Sequence, residues 1–327
     1  MLRIGLAGAG TLGGDHARNF AAIDGCEVAV VYDVVRANAE ALATQLGAEL
    51  AEAEDRLYAD DIDIVVITTP TPFHADYCTK AARAGKHIFC EKPLARTLEQ
   101  GEAIVEAVRS AGVTMMVGHV LRWFEPYAKA RDLILDGAVG ELGMVRLTRI
   151  NTMPGGAGSW FSKYEWSGGV ILDMSIHDLD WVLWALGPAE RVYAHSLYQR
   201  MPVMDYALMS LRMKSGAIVH VEGSWADLGM FRTSFEIAGS GGLIEHDSTQ
   251  NVTLTVQKRD EKQELAAVQR PSSPSTKSPY LVEDEHFIDC IRTGTTPGVT
   301  VEEAFASLRL ALACCQSAET GQVVRLS

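Results

Sequence analysis

Paired cysteines are missing from this chain. Cys26, Cys78, Cys90, Cys290, Cys314 and Cys315 make no C-x-x-C pair and no zinc spacing. Most lie in apolar segments, as reduced core cysteines of a cytoplasmic protein do. Basic charge is also short. Lys and Arg number 29 against 42 Asp and Glu, the net charge is −13, and no basic block occurs. That balance argues against nucleic acid or an anionic membrane as the main partner. No apolar run approaches the ~18 residues of a membrane span. The first strand begins so close to Met1 that no signal peptide is expected. What remains is ordinary for a globular protein: 327 residues, 47% hydrophobic and 22% charged, enough for two domains with their own cores.

The most informative stretch is at the start. Leu2 to Ala7 is a short apolar run and reads as a buried strand. Gly8, Gly10 and Gly13 follow in the spacing G-x-G-x-x-G. Gly8 allows a tight turn, Gly10 leaves room for a pyrophosphate against the backbone, and Gly13 lets the next helix approach the sheet. That helix starts near Thr11 and Leu12, so its first N–H groups point at the phosphates. A second strand, Glu27 to Tyr32, ends in Asp33, 20 positions past Gly13. An acid there accepts hydrogen bonds from the adenosine ribose. Arg36 lies three residues on and is the natural partner for a 2′-phosphate, so NAD is expected and NADP stays open.

Strands and helices then alternate. Helix Val35 to Leu46, strand Ile62 to Ile67, helix His74 to Ala84, strand Lys86 to Cys90, helix Thr97 to Ala111 and strand Val113 to Val117 specify a doubly wound parallel sheet. The pattern changes near Arg122. A helix at Pro126 to Leu135, a strand at Glu141 to Ile150 and a long helix at Gly169 to Leu186 precede strands with no helices between them. The last of those strands is Asn251 to Gln257. A Pro/Ser-rich loop, Arg270 to Pro279, and two helices close the chain. The expected fold is α/β, with a Rossmann domain over residues 1–121 and an α+β domain with a mostly antiparallel open sheet over 122–327. Val219, Val221, Phe235 and Ile237 occupy alternating strand positions and suit either an oligomer face or the core.

Two clusters carry chemistry. Glu91-Lys92-Pro93 ends a parallel strand, at the edge where open α/β sheets bind ligands. A lysine there can reach a nicotinamide ring and a substrate hydroxyl, or it can be a surface lysine held by Glu91. Asp173 and His177 are i and i+4 on the expected long helix and so share a face. They suit an acid/base pair with an orienting carboxylate, part of a metal site, or a helix-stabilising pair.

These residues resemble one family. Gly8 to Gly13 with His16-Ala17, the loop Thr69-Pro70-Thr71-Pro72-Phe73-His74-Ala75, the run Ala84-Gly85-Lys86-His87-Ile88-Phe89-Cys90-Glu91-Lys92-Pro93-Leu94-Ala95, and Gly168 to Asp178 are similar to the glucose–fructose oxidoreductase/inositol dehydrogenase (Gfo/Idh/MocA) family. The resemblance spans nearly the whole chain, and the Gly85 to Ala95 run is the specific part. It implies NAD or NADP held by Gly8, Gly10, Thr11, Leu12, Gly13, Asp33 and Arg36, with Thr69, Pro70, His74, Glu91 and Lys92 nearby. It implies a catalytic set of Lys92, Asp173 and His177, and no metal. Arg122 matches a family arginine at the domain junction that touches substrate or braces the cleft. Trp160, Phe161 and Tyr164 either pack on a sugar ring or serve as core or interface aromatics. The chain departs from many relatives at Thr71, where they carry Asn, and at Asn151 to Pro154, which lacks an arginine often found there.

The implied activity is hydride transfer between nicotinamide and a hydroxyl or keto carbon of a sugar, cyclitol or derivative, in a homodimer or homotetramer. Two alternatives share the fold: an NAD-dependent glycosidase working by transient oxidation, and a non-catalytic NAD(P)-sensing protein.

Overall fold

The computed structural model describes residues 1–198, 205–227, 231–250, 254–259, 265–269 and 277–326. Residues 251–253 of the expected strand and 270–276 of the expected loop lie outside them. The chain divides into two compact units. One holds Met1–Val120 and Lys277–Leu308, the other Leu121–Thr276 and Arg309–Ser327.

In chain order the first unit carries β1 (Leu2–Ala7), α1 (Thr11–Ala22), β2 (Cys26–Tyr32), α2 (Arg36–Leu46), β3 (Glu49–Leu50), β4 (Ile64–Ile67), α3 (His74–Arg83), β5 (His87–Glu91), α4 (Leu98–Ala111) and β6 (Met115–Gly118). The six strands lie in the order β3-β2-β1-β4-β5-β6, all parallel. Helices cover both faces of such a sheet, so its strands read as unbroken apolar runs. Ile64, Val65, Val66 and Ile67 are all fully buried. The strand order reverses between β1 and β4, and at such a reversal the loops after the two strands part and leave a crevice. The glycine turn follows β1, and Thr68 to Phe73 follows β4.

The second unit begins with α5 (Glu125–Leu135) and β7 (Leu142–Ile150), then α6 (Tyr164–Ser167), α7 (Gly169–Asp173) and α8 (Ile176–Leu186). The strands β8 (Ala189–Ser196), β9 (Tyr206–Met213), β10 (Ile218–Ser224), β11 (Arg232–Gly239), β12 (Gly242–Asp247), β13 (Leu254–Arg259) and β14 (Leu265–Gln269) follow. The chain returns through α9 (Pro279–Thr293), α10 (Val301–Thr320) and β15 (Val324–Arg325). The sheet runs β14-β13-β12-β11-β7-β10-β9-β8-β15. Among the described residues its pairs are antiparallel apart from β7 with β10. Burial along β9, β10 and β11 alternates with a period of two, as in a sheet with one face on the core. Val219, Val221, Phe235 and Ile237 point into the core, at most 2% exposed. The opposite positions Tyr193, Leu208 and Ile218 are 37, 39 and 42% exposed.

The structure differs from the sequence reading in two ways that bear on the site. First, residues 277–308 pack with the first unit. Phe287 and Ile288 of α9 are buried, with Phe287 5.7 Å from the Phe89 ring, and Gly101 of α4 lies against Phe305 and Leu308 of α10. Apolar helix faces set that grouping, and position along the chain does not reveal it. Second, the long helix Gly169 to Leu186 is broken. The Ser175 N–H reaches back five residues to the Val170 carbonyl, and the His177 and Asp178 N–H groups bond three back. Asp173 and His177 therefore sit on either side of an irregular turn, and helical i,i+4 spacing does not relate them.

Candidate active site

β1 leaves the sheet at Gly8, whose φ is +95°. A Cβ there would lie 2.9 Å from the Thr68 carbonyl and the Thr69 nitrogen. A side chain at Gly13 would meet the Gly8 carbonyl itself. Above Gly10 a Cβ would have nothing within 4 Å. α1 starts there with no side-chain cap and no acid in its first turn. The N–H groups of Thr11, Leu12 and Gly13 thus open the helix without intrahelical acceptors, beside free space. Thr69 Oγ1 is buried and, among the described residues, has no hydrogen-bond partner. Uncapped donors, open space and an orphaned hydroxyl are what a pyrophosphate needs, so these residues fit a dinucleotide.

Asp33 ends β2 with both oxygens engaged. Oδ2 accepts the Ala9 N–H and Oδ1 the Val35 N–H, each at 2.7 Å. A carboxylate has further lone pairs, so ribose hydroxyls can still donate to it. Arg36 is not free to swing. Its Nη1 and Nη2 donate to the two oxygens of Glu52 at 2.7 and 2.9 Å. Both side chains are exposed, and each charge favours the other: the bond raises Arg36 and lowers Glu52.

At the end of β5, every residue from Ile88 to Ala95 is buried apart from Lys92, which is partly exposed. The Lys92–Pro93 peptide is cis. Glu91 turns its carboxylate inward, where Oε2 accepts the Lys92 N–H at 3.1 Å and Oε1 accepts from His16 Nε2 at 3.0 Å. Burial raises the Glu91 carboxyl, but the His16 bond and charge outweigh it and hold Glu91 below its ordinary value. His74 is buried with Nδ1 2.8 Å from the Pro93 carbonyl and Nε2 2.8 Å from the Thr69 carbonyl. Burial lowers its pKa. His74 thus stands between the loop after β4 and the loop after β5, and in its neutral form donates to one of the two carbonyls. Thr69 and Pro70 are partly exposed beside it.

The second unit presents its polar residue in the same way. Ser167 to Val182 are all buried apart from His177. Asp173 lies within that run, 5% exposed. Asp205 Oδ2 accepts the Val170 N–H at 2.7 Å and would meet a Cβ on Gly169, whose φ is +70°. A side chain at Gly169 would thus push the carboxylate off the start of α7. Arg122 is buried and gives Nε and Nη2 to Asp180, both at 2.8 Å, so its fork braces α8. Arg149 holds Asp178 through Nε at 2.6 Å. Trp160 is stacked on Phe161 with ring centres 3.9 Å apart, and Tyr164 is stacked on Tyr198 and donates to Glu319. One face of Trp160 is therefore already covered. Among the described residues no group of three or more His, Cys, Asp or Glu side chains is arranged to hold a metal ion.

Residues 2–119 match the oxidoreductase family with an NAD-binding Rossmann fold, and 127–245 match the GFO/IDH/MocA C-terminal domain. The chain is 32% identical to a scyllo-inositol 2-dehydrogenase (NAD(+)) of Bacillus subtilis, over 99% of this chain and 96% of that one. It belongs to the GFO/IDH/MocA oxidoreductase family. A 1,5-anhydro-D-fructose reductase of Ensifer adhaerens is 31% identical over 100% of this chain and 99% of its own. Among solved structures, levoglucosan dehydrogenase with NADH and levoglucosan superposes with a TM-score of 0.88 at 24% identity, covering 99% of each chain. GenD2 from gentamicin A biosynthesis, in complex with NAD, gives 0.88 at 24%, covering 100% and 96%. At that identity the two structures bear on the fold alone.

Within this GFO/IDH/MocA chain, sequence reasoning passed over Glu52, Asp205 and Asp284 and gave Asp180 no partner. No motif surrounds the first three, and Asp284 and Asp180 bond side chains far along the chain. Only Arg36, three residues past Asp33, hinted that a partner for its guanidinium mattered.

Proposed function

We propose that this oxidoreductase is an NAD-dependent dehydrogenase acting on a CH–OH carbon of a sugar or cyclitol. The observation that carries the reading is the pair of exposures just described. Lys92 and His177 are polar side chains presented from runs that are otherwise buried, and an evenly solvated surface would not produce that pattern. NAD, when bound, supplies the hydride acceptor at nicotinamide C4. The glycine turn and the first turn of α1 bind its phosphates, and Asp33 its ribose. His177 takes the substrate hydroxyl proton on its imidazole as the carbonyl forms. The Lys92 ammonium stabilises the developing alkoxide, and Asp173 orients a substrate hydroxyl. A non-catalytic sensor would need none of these three.

Two further proposals accompany this reading. The open sheet face with Tyr193, Leu208 and Ile218 pairs with a second copy in a homodimer or homotetramer. The free cysteines support a reducing, cytoplasmic setting; among the described residues no helix is long and apolar enough to cross a membrane. A panel of inositols, sugars and keto-sugars, followed by reduced-nicotinamide absorbance with NAD and NADP, tests the activity. Turnover of a polyol with NAD is expected, and turnover of none in either direction overturns it.

A further inference from the structure

Beneath the glycine turn lies a chain of buried charges that the proposed reaction does not use directly. His16, on α1, is wholly buried. Its Nδ1 donates to Asp284 of α9 at 2.9 Å to Oδ1 and 3.0 Å to Oδ2, and its Nε2 donates to Glu91 Oε1 at 3.0 Å. Asn19 Nδ2 adds a bond to Asp284 Oδ2 at 2.9 Å. The rings of Phe89 and Tyr280 close over the imidazole at 4.8 and 6.0 Å. Gly118 leaves room for this carboxylate, since a Cβ there would stand 3.0 Å from Oε1. Its other oxygen carries the Lys92 N–H.

We propose that His16 and Asp284 are positioning residues for Lys92, acting through the Glu91 carboxylate that holds the Lys92 backbone N–H. The inference rests on the catalytic reading of Lys92. The groups facing His16 are Glu91 from β5, Asp284 and Tyr280 from α9, and Asn19 from its own helix, with Lys92 and His74 beyond Glu91. Two ring nitrogens between two carboxylates both donate only in the imidazolium form. Burial opposes that form, yet the bonds and charges of Asp284 and Glu91 outweigh it and raise His16 well above its ordinary value. Burial, with the Glu91 charge across the ring, holds Asp284 up. A neutral side chain at position 16 leaves two buried carboxylates facing each other, and Glu91 then protonates or turns. Protonation weakens the acceptor of the Lys92 N–H and turning removes it, so the lysine loses its fixed starting point. A displacement of ~1 Å at a reacting group costs on the order of 100-fold in rate.

Backbone amide exchange in His16→Gln tests the inference without any substrate. The Lys92 amide should exchange at least ~10-fold faster while those of Ile88 and Phe89, inside β5, stay as in wild type. A uniform rise across β5, or no change at Lys92, overturns it. Asp284→Asn gives the same reading if His16→Gln does not fold. In wild type, nitrogen-labelled histidine should show His16 still doubly protonated as pH rises past the ordinary histidine value of about 6.5; a single ring proton at that point contradicts the arrangement. With a polyol from the panel and NAD, His16→Gln should lower kcat by ~30-fold or more and leave NADH affinity within ~3-fold. In a Lys92→Ala background the same change should cost less than ~3-fold, because the two act as one unit. Independent, multiplying losses overturn the coupling to Lys92. Failure of Lys92→Ala itself to lose activity overturns the catalytic reading instead, leaving the exchange result to stand or fall separately.

Discussion

The Asp33 carboxylate accepts the Ala9 backbone N–H at 2.7 Å, fastening the end of β2 to the glycine turn. The acid that would meet the ribose therefore also shapes the turn that would meet the phosphates. A 2′-phosphate brought to it is a like charge. Arg36, three residues on, is already paired with Glu52. NAD should be preferred over NADP by at least ~10-fold in kcat/KM. Asp33→Ser alone should narrow the preference, and adding Glu52→Gln, which releases Arg36, should narrow it further or reverse it. A wild-type preference for NADP, or a Glu52→Gln change with no effect in the Asp33→Ser background, would show that other residues control the choice.

The glycines of the turn should separate folding from binding. Gly10→Ala adds a methyl group in open space, so Tm should hold while NADH affinity falls. Gly13→Ala drives a methyl group against the Gly8 carbonyl, so both should fall. Thermal unfolding and NADH fluorescence titration distinguish the two, and equal Tm losses would place the Gly10 methyl against protein.

Stability should depend on pH through His16. Its folded pKa is raised, so its contribution is whole below the ordinary histidine value of about 6.5 and is lost as pH rises through the folded value. Glu91, lowered in the fold, contributes above the ordinary carboxylate range and loses that contribution as pH falls through its own folded value. The Tm gap between wild type and His16→Gln should be widest between the ordinary carboxylate range and about pH 6.5 and shrink as pH rises above that. A gap independent of pH would mean that His16 is neutral in the fold.

Much of this molecule was legible in the sequence because it is written in local patterns. Apolar runs between glycines gave the parallel sheet, and alternation gave the second one. The strand, the glycine spacing after it and the helix that follows pointed to the NAD-binding Rossmann fold. β12 escaped notice because its inward positions include His246, a polar residue that is buried against Phe235 and Tyr127. The break after Asp173 is invisible to helical periodicity, since Met174 and Ser175 are both compatible with a helix. The partners of His16, Arg36 and Arg122 depend on how distant segments pack, and composition carries no trace of that. For Arg122 the sequence left substrate contact and bracing equally open, and the Asp180 pair favours bracing.

Assembly is checked by light scattering at micromolar concentration. A dimer or tetramer is expected, and Leu208→Glu with Ile218→Glu should shift it towards monomer without loss of secondary structure. A wild-type monomer would leave the exposed sheet face unexplained as an interface.

The most direct test compares wild type, Lys92→Ala and His177→Ala on a polyol that wild type oxidises, with NAD saturating. Each variant should lose two orders of magnitude or more in kcat, with NADH binding changed little. Near-normal turnover in either variant would contradict that residue's place in proton transfer and charge stabilisation, and near-normal turnover in both would contradict the proposed dehydrogenase mechanism.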